Sequence, residues 1–154
     1  MNEDELLARG FSRETQIRRD AKGRWFEDGV LVEHVGMQKA FDSWVARAPD
    51  GRFCLKNSIH WVYVEIEGPP VFVRSLRIGK DRVDLRLSTG GEERLAIESM
   101  YLNSRGEMFC LVHDQTLEAR FDSAPLANLS DLLEQTEDGF SLRLGEELFH
   151  LSTR

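Results

Sequence analysis

Six apolar residues between Gly36 and Ala48 recur at helical spacing: Met37, Ala40, Phe41, Trp44, Val45 and Ala48. They fall at i, i+3, i+4, i+7, i+8 and i+11, one stripe of an α-helix, while Gln38, Lys39, Asp42, Ser43 and Arg47 take the other face. A helix of this length is marginal in water unless its stripe is buried, so it must lie on a sheet. The spacing predicts a helix over residues 36–48, ended by Pro49-Asp50-Gly51, because proline cannot extend the ladder and disfavours α geometry at Ala48.

The sheet for that helix is read on either side of it. Residues 17–20 and 24–27 flank the turn Ala21-Lys22-Gly23, and Asp28-Gly29 leads to Val30-Leu31-Val32. Beyond the helix, residues 53–56 turn at Asn57-Ser58 and return over residues 60–67. Alternation puts His60, Val62, Val64 and Ile66 on the core face and Trp61, Tyr63 and Glu65 on the other. Gly68-Pro69-Pro70 then breaks pairing. The basic run Arg18, Arg19, Lys22 and Arg24 reads either as the solvated side of the first hairpin or as a phosphate-facing patch.

Further strands are expected over 71–78, 82–87, 94–97, 108–113 and 117–121, with Val83, Leu85 and Leu87 alternating against charged neighbours. A second helix is expected over 124–135, capped by Asp122 or Ser123, with Leu126, Leu129, Leu132 and Leu133 inward, followed by strands over 140–144 and 146–151. Strand pair, helix, acidic-glycine turn and strand pair thus recur. Asp50-Gly51-Arg52-Phe53 echoes Asp138-Gly139-Phe140, and Phe41, Trp44 and Val45 echo Leu129, Leu132 and Leu133. The expected fold class is α+β, with two similar halves, each an antiparallel sheet packed by one amphipathic helix. The expected boundaries are a mobile arm over 1–16, containing a short helix over 4–9, an N-terminal half over 17–79 and a C-terminal half over 80–154.

A chain of 154 residues buries roughly 70% of its unfolded surface, enough for a core without staples. Cys54 and Cys110 lie far apart with no paired spacing, which fits a reducing cytoplasmic setting rather than a secreted disulfide scaffold. The opening MNEDELLARG carries acids where a signal peptide needs a basic start, and no run approaches the ~18 apolar residues of a membrane span. A net charge of −7 disfavours nonspecific binding to nucleic acid or an anionic membrane, leaving room for a local basic pocket.

The order Ile17-Arg18-Arg19-Asp20, Gly23-Arg24-Trp25-Phe26 and Gly29 is followed by the helix with Phe41. After it come Asp50-Gly51-Arg52-Phe53 before Leu55 and Val64-Glu65-Ile66-Glu67 before Pro70. On these residues, with Leu117-Glu118-Ala119-Arg120 as a further match, the chain resembles the Domain of Unknown Function 1285 family over most of residues 17–135. It departs from the family by lacking an upstream Trp-x-Pro segment and by carrying Asn57-Ser58-Ile59-His60-Trp61 where the family has a Thr-Pro-Val-Glu-Lys-like stretch. The resemblance implies a duplicated α+β core, a C-terminal half like pleckstrin-homology folds, and a nucleotide-like or nucleic-acid-derived ligand in the interface between halves. It associates the family with signalling.

No metalloprotease, Walker, zinc-ribbon or nucleophile-elbow motif is present, and the four histidines are scattered, so neither a metal nor a cofactor is expected. Lys56, Asn57, His60 and Trp61, with His113 and Arg120 bordering the second helix, are the candidate ligand-binding residues. A cation for phosphate, an amide for base or ribose and an aromatic for stacking suit a nucleotide in a cleft. The same residues read more readily as structure, with His60 satisfied at a strand edge, Trp61 and Tyr63 covered by the other half and Lys56 lying over them. The expected function is a non-enzymatic ligand-sensing or signalling module with a small anionic ligand between its halves. The alternatives are a protein–protein adaptor presenting aromatics or a sheet edge, and a divergent enzyme.

Overall fold

Ile17–Arg19 (β1) and Trp25–Glu27 (β2) pair antiparallel around a turn in which Asp20 Oδ1 accepts from the N–H groups of Lys22 (3.0 Å) and Arg24 (2.8 Å). The computed structural model describes residue 10 and residues 12–154; the short helix expected over 4–9 lies outside them. Val30–Leu31 (β3) adds to β2, Val35–Trp44 forms the helix α1, and Val45–Arg47 (β4), Phe53–Lys56 (β5), Trp61–Tyr63 (β6) and Glu65–Ile66 (β7) follow. Two small sheets result, with strand orders β3-β2-β1-β7 and β4-β5-β6. The first unit ends at Pro70.

The core of this unit is Trp25, Phe41, Val45, Leu55 and Val64, with Ile17, Trp44, Val62 and Ile66 packed around it. Trp25 and Phe41 meet edge to face, with ring centroids 5.3 Å apart. Arg19, expected among solvated basic residues, is instead fully buried. Its Nη1 donates to Asp42 Oδ1 (3.0 Å), and its Nη2 donates to the carbonyls of Pro69 (2.5 Å) and Pro70 (2.9 Å). The Trp25 indole donates to the same Asp42 Oδ1 (2.8 Å). Strand alternation explains the correction, since Arg19 pairs with Trp25 across the hairpin and therefore shares its inward face.

The helix is shorter than its stripe. His34 caps it, with Nδ1 accepting from the Met37 N–H (3.2 Å), and a side chain at Gly36 would strike the His34 ring, its Cβ falling 2.9 Å from Cε1. It stops at Trp44, because Val45, Ala46 and Arg47 gain a ladder with Leu55, Cys54 and Phe53. Val45 and Ala48 are buried as the stripe demands, but from beyond the end of the helix. The return strand also breaks at Val64, and Glu65–Ile66 crosses to pair parallel with Arg18–Arg19. Of the expected mobile arm, residues 13–15 are fixed along β6. The Tyr63 N–H donates to the Arg13 carbonyl (2.7 Å), and the Thr15 hydroxyl donates to the Tyr63 carbonyl (2.6 Å).

The second unit runs from Val71 to Arg154. Its strands are Val71–Ile78 (β8), Val83–Leu87 (β9), Glu92–Arg94 (β10), Tyr101–Leu102 (β11), Met108–Val112 (β12) and Leu117–Phe121 (β13). Helix α2 (Ser123–Ser130) precedes Leu133–Thr136 (β14), Gly139–Leu144 (β15), Glu147–His150 (β16) and Ser152–Thr153 (β17). The boundary therefore falls at 70/71 rather than 79/80, because β8 pairs with β9 and β13 in a sheet of order β10-β9-β8-β13-β12-β11-β17. The strand expected over 94–97 ends at Arg94, and Ile97–Ser99 makes a 3-10 turn. The second helix stops at Ser130 instead of continuing to Gln135, again because the following residues join a ladder, β14 with β15. Leu129, Leu142 and Leu151 are among its fully buried residues, each worth about 1.5–3 kcal/mol of transfer free energy.

Both units pass through one order of elements. β1-β2-β3, α1, β4-β5-β6 and β7 correspond to β11-β12-β13, α2, β14-β15-β16 and β17, and the edge orders β3-β2-β1-β7 and β13-β12-β11-β17 match. In each, the final short strand lies parallel to the first. The fold class is α+β, with two α-helices and seventeen strands in four sheets among the described residues. In the second unit a cross-strand row runs Phe72, Arg120, Phe109, Tyr101 and Ser152. Tyr101 stacks on Phe109 with centroids 5.0 Å apart, and its hydroxyl donates to Glu118 Oε2 (2.6 Å).

Two predictions follow from these contacts. Asp42→Ala removes the carboxylate that faces the buried Arg19 guanidinium and should lower the unfolding free energy by about 3–5 kcal/mol, read by urea denaturation with tryptophan fluorescence; a loss under about 1 kcal/mol contradicts the role given to the pair. Burial, and then the hydrogen bond to Glu118, push the Tyr101 phenol from 10.0 up to about 12. The folded protein holds this proton more tightly than the unfolded chain, so the associated stability is complete below pH 10 and is lost as pH rises toward 12. Tyr101→Phe should flatten that alkaline loss in a pH series of denaturation curves, whereas Tyr63→Phe should leave the part between pH 10 and 12 that belongs to Tyr101.

Candidate functional site

Alternation along the β5–β6 hairpin sorts the first unit's side chains onto two surfaces. Leu55 and Val62 are cross-strand partners on the face toward α1, while the pairs Lys56–Trp61 and Cys54–Tyr63 occupy the reverse face. Between the hairpin's inner face and the α1 residues Met37, Phe41 and Trp44 lies a groove of about 640 Å³. Ile17 and Glu27 line it from the β1–β2 hairpin, and Gly10, Ser12, Glu14 and Thr15 border it. Its volume and its largely apolar lining are those of a small-molecule site. A shallower depression of about 330 Å³ continues from it, sharing Glu14, Thr15, Ile17 and Glu27 and adding Gln16 and Asp28.

Two of the sequence-predicted residues, Asn57 and His60, line this groove. Asn57 Oδ1 accepts from the N–H groups of Ile59 (2.8 Å) and His60 (3.0 Å), so its side chain shapes the turn at the groove's end. Lys56 and Trp61 belong to the other face. There the Arg13 guanidinium lies 3.7 Å from the Trp61 ring centroid and donates to the Trp61 carbonyl (2.7 Å). Arg52 covers Tyr63 at 3.6 Å and holds both oxygens of Glu14 (3.0 and 3.1 Å). The Arg52 hydrogen bond lowers the Glu14 carboxyl from its usual range, and the Tyr63 hydroxyl does the same for Asp50.

His113 and Arg120 sit at opposite ends of the β12–β13 hairpin. Arg120 pairs with Phe109, whereas His113 follows Val112 at the turn, which separates them by roughly 13 Å at about 3.3 Å per residue. Arg120 Nη1 donates to Glu107 Oε2 (3.0 Å), and its guanidinium lies 5.4 Å from the Phe72 ring centroid. His113 Nε2 is 2.9 Å from Thr89 Oγ1, and the His113 N–H donates to Glu93 Oε1 (3.0 Å). His113, Asp114 and Gln115 all have left-handed φ, at 52°, 55° and 64°. This costs each non-glycine residue on the order of 1 kcal/mol and marks a turn set by its surroundings.

Sequence reasoning missed Glu14, Thr15 and Glu27 as site residues. One signal for Glu27 existed: in a three-residue strand it shares the inward face of Trp25, a charge where alternation calls for an apolar residue. Among the described residues, no group of three His, Cys, Asp or Glu side chains is placed to hold a metal ion. Burial raises the thiol pKa of both cysteines, that of Cys110 to about 12, so neither is a thiolate at neutral pH. No helix of the described residues is long and apolar enough to cross a membrane.

No family model matches the chain, and no curated protein does. Two solved structures do. A DUF1285 family protein from Silicibacter pomeroyi DSS-3 superposes with a TM-score of 0.66 at 24% identity, over 91% of this chain and 81% of the other. A DUF1285 family protein from Shewanella baltica OS155 gives a TM-score of 0.59 at 18% identity, over 78% of this chain and 94% of the other. At these identities the likeness is one of fold, and the chain has the fold of the DUF1285 proteins, the family that its residues 17–135 resemble.

Proposed function

We propose that the protein is a non-enzymatic ligand-sensing module whose first unit takes a small, largely apolar molecule in the groove between α1 and the β5–β6 hairpin. The observation that carries this reading is the groove itself: about 640 Å³, floored by Phe41, Trp44, Leu55 and Val62, and closed at one end by the Asn57–His60 turn. It replaces the anionic ligand expected between two halves, for which Lys56 and Arg120 were the anchors. Lys56 belongs to the face away from the groove, and Arg120 is ion-paired with Glu107. The shared order of elements in the two units supports an internal duplication in which only the first copy has become the binding unit. A cytoplasmic setting is supported by two buried free thiols.

A protein–protein adaptor is the second reading, favoured by the edge strand β3. Its residues Val30 and Leu31 are 69% and 41% exposed, beside Val35 at 60%. An apolar edge with open backbone groups is a template for a partner strand.

Nile red, a neutral apolar dye, discriminates the two. The groove reading expects saturable fluorescence enhancement and a thermal shift of roughly 5–10 °C at 100 times the dissociation constant, corresponding to about 2.7 kcal/mol. Met37 lines the groove from an exposed position, so Met37→Asp should leave the fold intact. It should weaken the dye about 10-fold or more by placing a charge against the apolar ligand. Absence of saturable binding, or binding indifferent to Met37→Asp, moves the function to the β3 edge.

A further inference from the structure

The groove's apolar floor opens onto carboxylates. Glu14 and Glu27 line both the groove and the adjoining depression, and Asp28 lines the depression alone. Glu14 is matched by the bidentate Arg52 pair, whereas neither Glu27 nor Asp28 meets a basic side chain among the described residues. Asp28 is held in place by the chain on both sides: its N–H donates to the Gln16 carbonyl (3.1 Å), and its φ of 51° belongs to the tight turn before Gly29. Glu27 is fixed by its register opposite Ile17 and Val30. The described lining of both cavities contains no lysine or arginine.

An apolar molecule seated against Phe41, Trp44 and Val62 thus has a negative potential at the end where it meets water. An anionic head there is opposed by two unmatched carboxylates, and a cationic one replaces lost hydration with a fixed counter-charge. We infer that the groove selects a small amphiphilic cation, an amine with an apolar body, whose ammonium group sits between Glu27 and Asp28. This rests on the groove being the ligand site.

The test compares three probes of equal tail length, decylamine, decanol and decanoate, by isothermal titration at neutral pH and below their aggregation concentrations. The expected order is amine, alcohol, carboxylate, with the amine about 10-fold tighter than the carboxylate at low salt and the gap narrowing as salt is added. Glu27→Gln with Asp28→Asn should shrink the amine-to-alcohol ratio at least 3-fold, and Met37→Asp should weaken the alcohol and the carboxylate. Decanol binding without preference for the amine, or a preference that survives the double substitution, overturns the cation assignment while keeping the groove. Failure of all three probes to bind removes the groove reading itself. An apolar peptide ending in lysine that binds more tightly than decylamine overturns the assignment to a small molecule.

Discussion

The first unit depends on one buried charge. Arg19 enters the core because β1 pairs with β2 and places it opposite Trp25; once there, its guanidinium must be surrounded by acceptors. It finds three of them in two separate parts of the chain: Asp42 on the helix and the carbonyls of Pro69 and Pro70 at the corner. Asp42 meanwhile takes the Trp25 indole N–H. The hairpin, the helix and the terminal corner are thereby held in one geometry, which fixes how far α1 stands from the sheet. Apolar packing alone tolerates sliding, whereas a five-donor fork does not. The groove between α1 and the β5–β6 hairpin is a consequence: Phe41 packs on Trp25, and Met37, Asn57 and His60 line the groove from the helix and the hairpin turn.

Strand alternation then decides which side chains the groove receives. His60 and Val62 point one way and Trp61 and Tyr63 the other, so four residues that are near neighbours in sequence serve two surfaces. The reverse face is an array in which Arg13 lies on Trp61, Arg52 lies on Tyr63, and Glu14 and Asp50 absorb the remaining charge and hydroxyl. The groove face is apolar up to its rim. Glu14 links the two faces, lining the groove while both of its oxygens accept from Arg52.

Much of the fold was legible because its signals are local. The turns Asp50-Gly51 and Asp138-Gly139, the alternation of Val83, Leu85 and Leu87, and the inward stripe of α1 all describe residues that behave as their neighbours in sequence require. The misjudged ends have one cause. Val45–Arg47 and Leu133–Thr136 continue helical patterns, yet each is captured by a strand lying just beyond the next turn. Leu132 and Leu133 are half-buried from turn and strand, where the helical pattern also asked for buried residues, so periodicity does not discriminate. The separation of β8 from the first unit was invisible for a related reason: its pairing with β13 is parallel, between Ala119 to Phe121 and Val71 to Val73, far apart in sequence.

The candidate site was less legible, because a residue's type does not say whether its charge is available. Lys56, Arg120 and the basic run around Arg18 suggested an anion site by composition. In the fold, Arg18 lies over Phe26, Arg19 is consumed by the core, Arg24 is paired with Asp20, and Arg120 is paired with Glu107. Each guanidinium finds a ring or a carboxylate close at hand, as delocalised and weakly hydrated cations do in an acid-rich chain. With 27 acidic residues against 20 basic ones, the excess charge is carboxylate, and two such groups, Glu27 and Asp28, line the depression that adjoins the apolar groove. Local pairing thus leaves a negative field beside the groove between helix and hairpin in the first unit, opposite in sign to the site that its basic residues suggest.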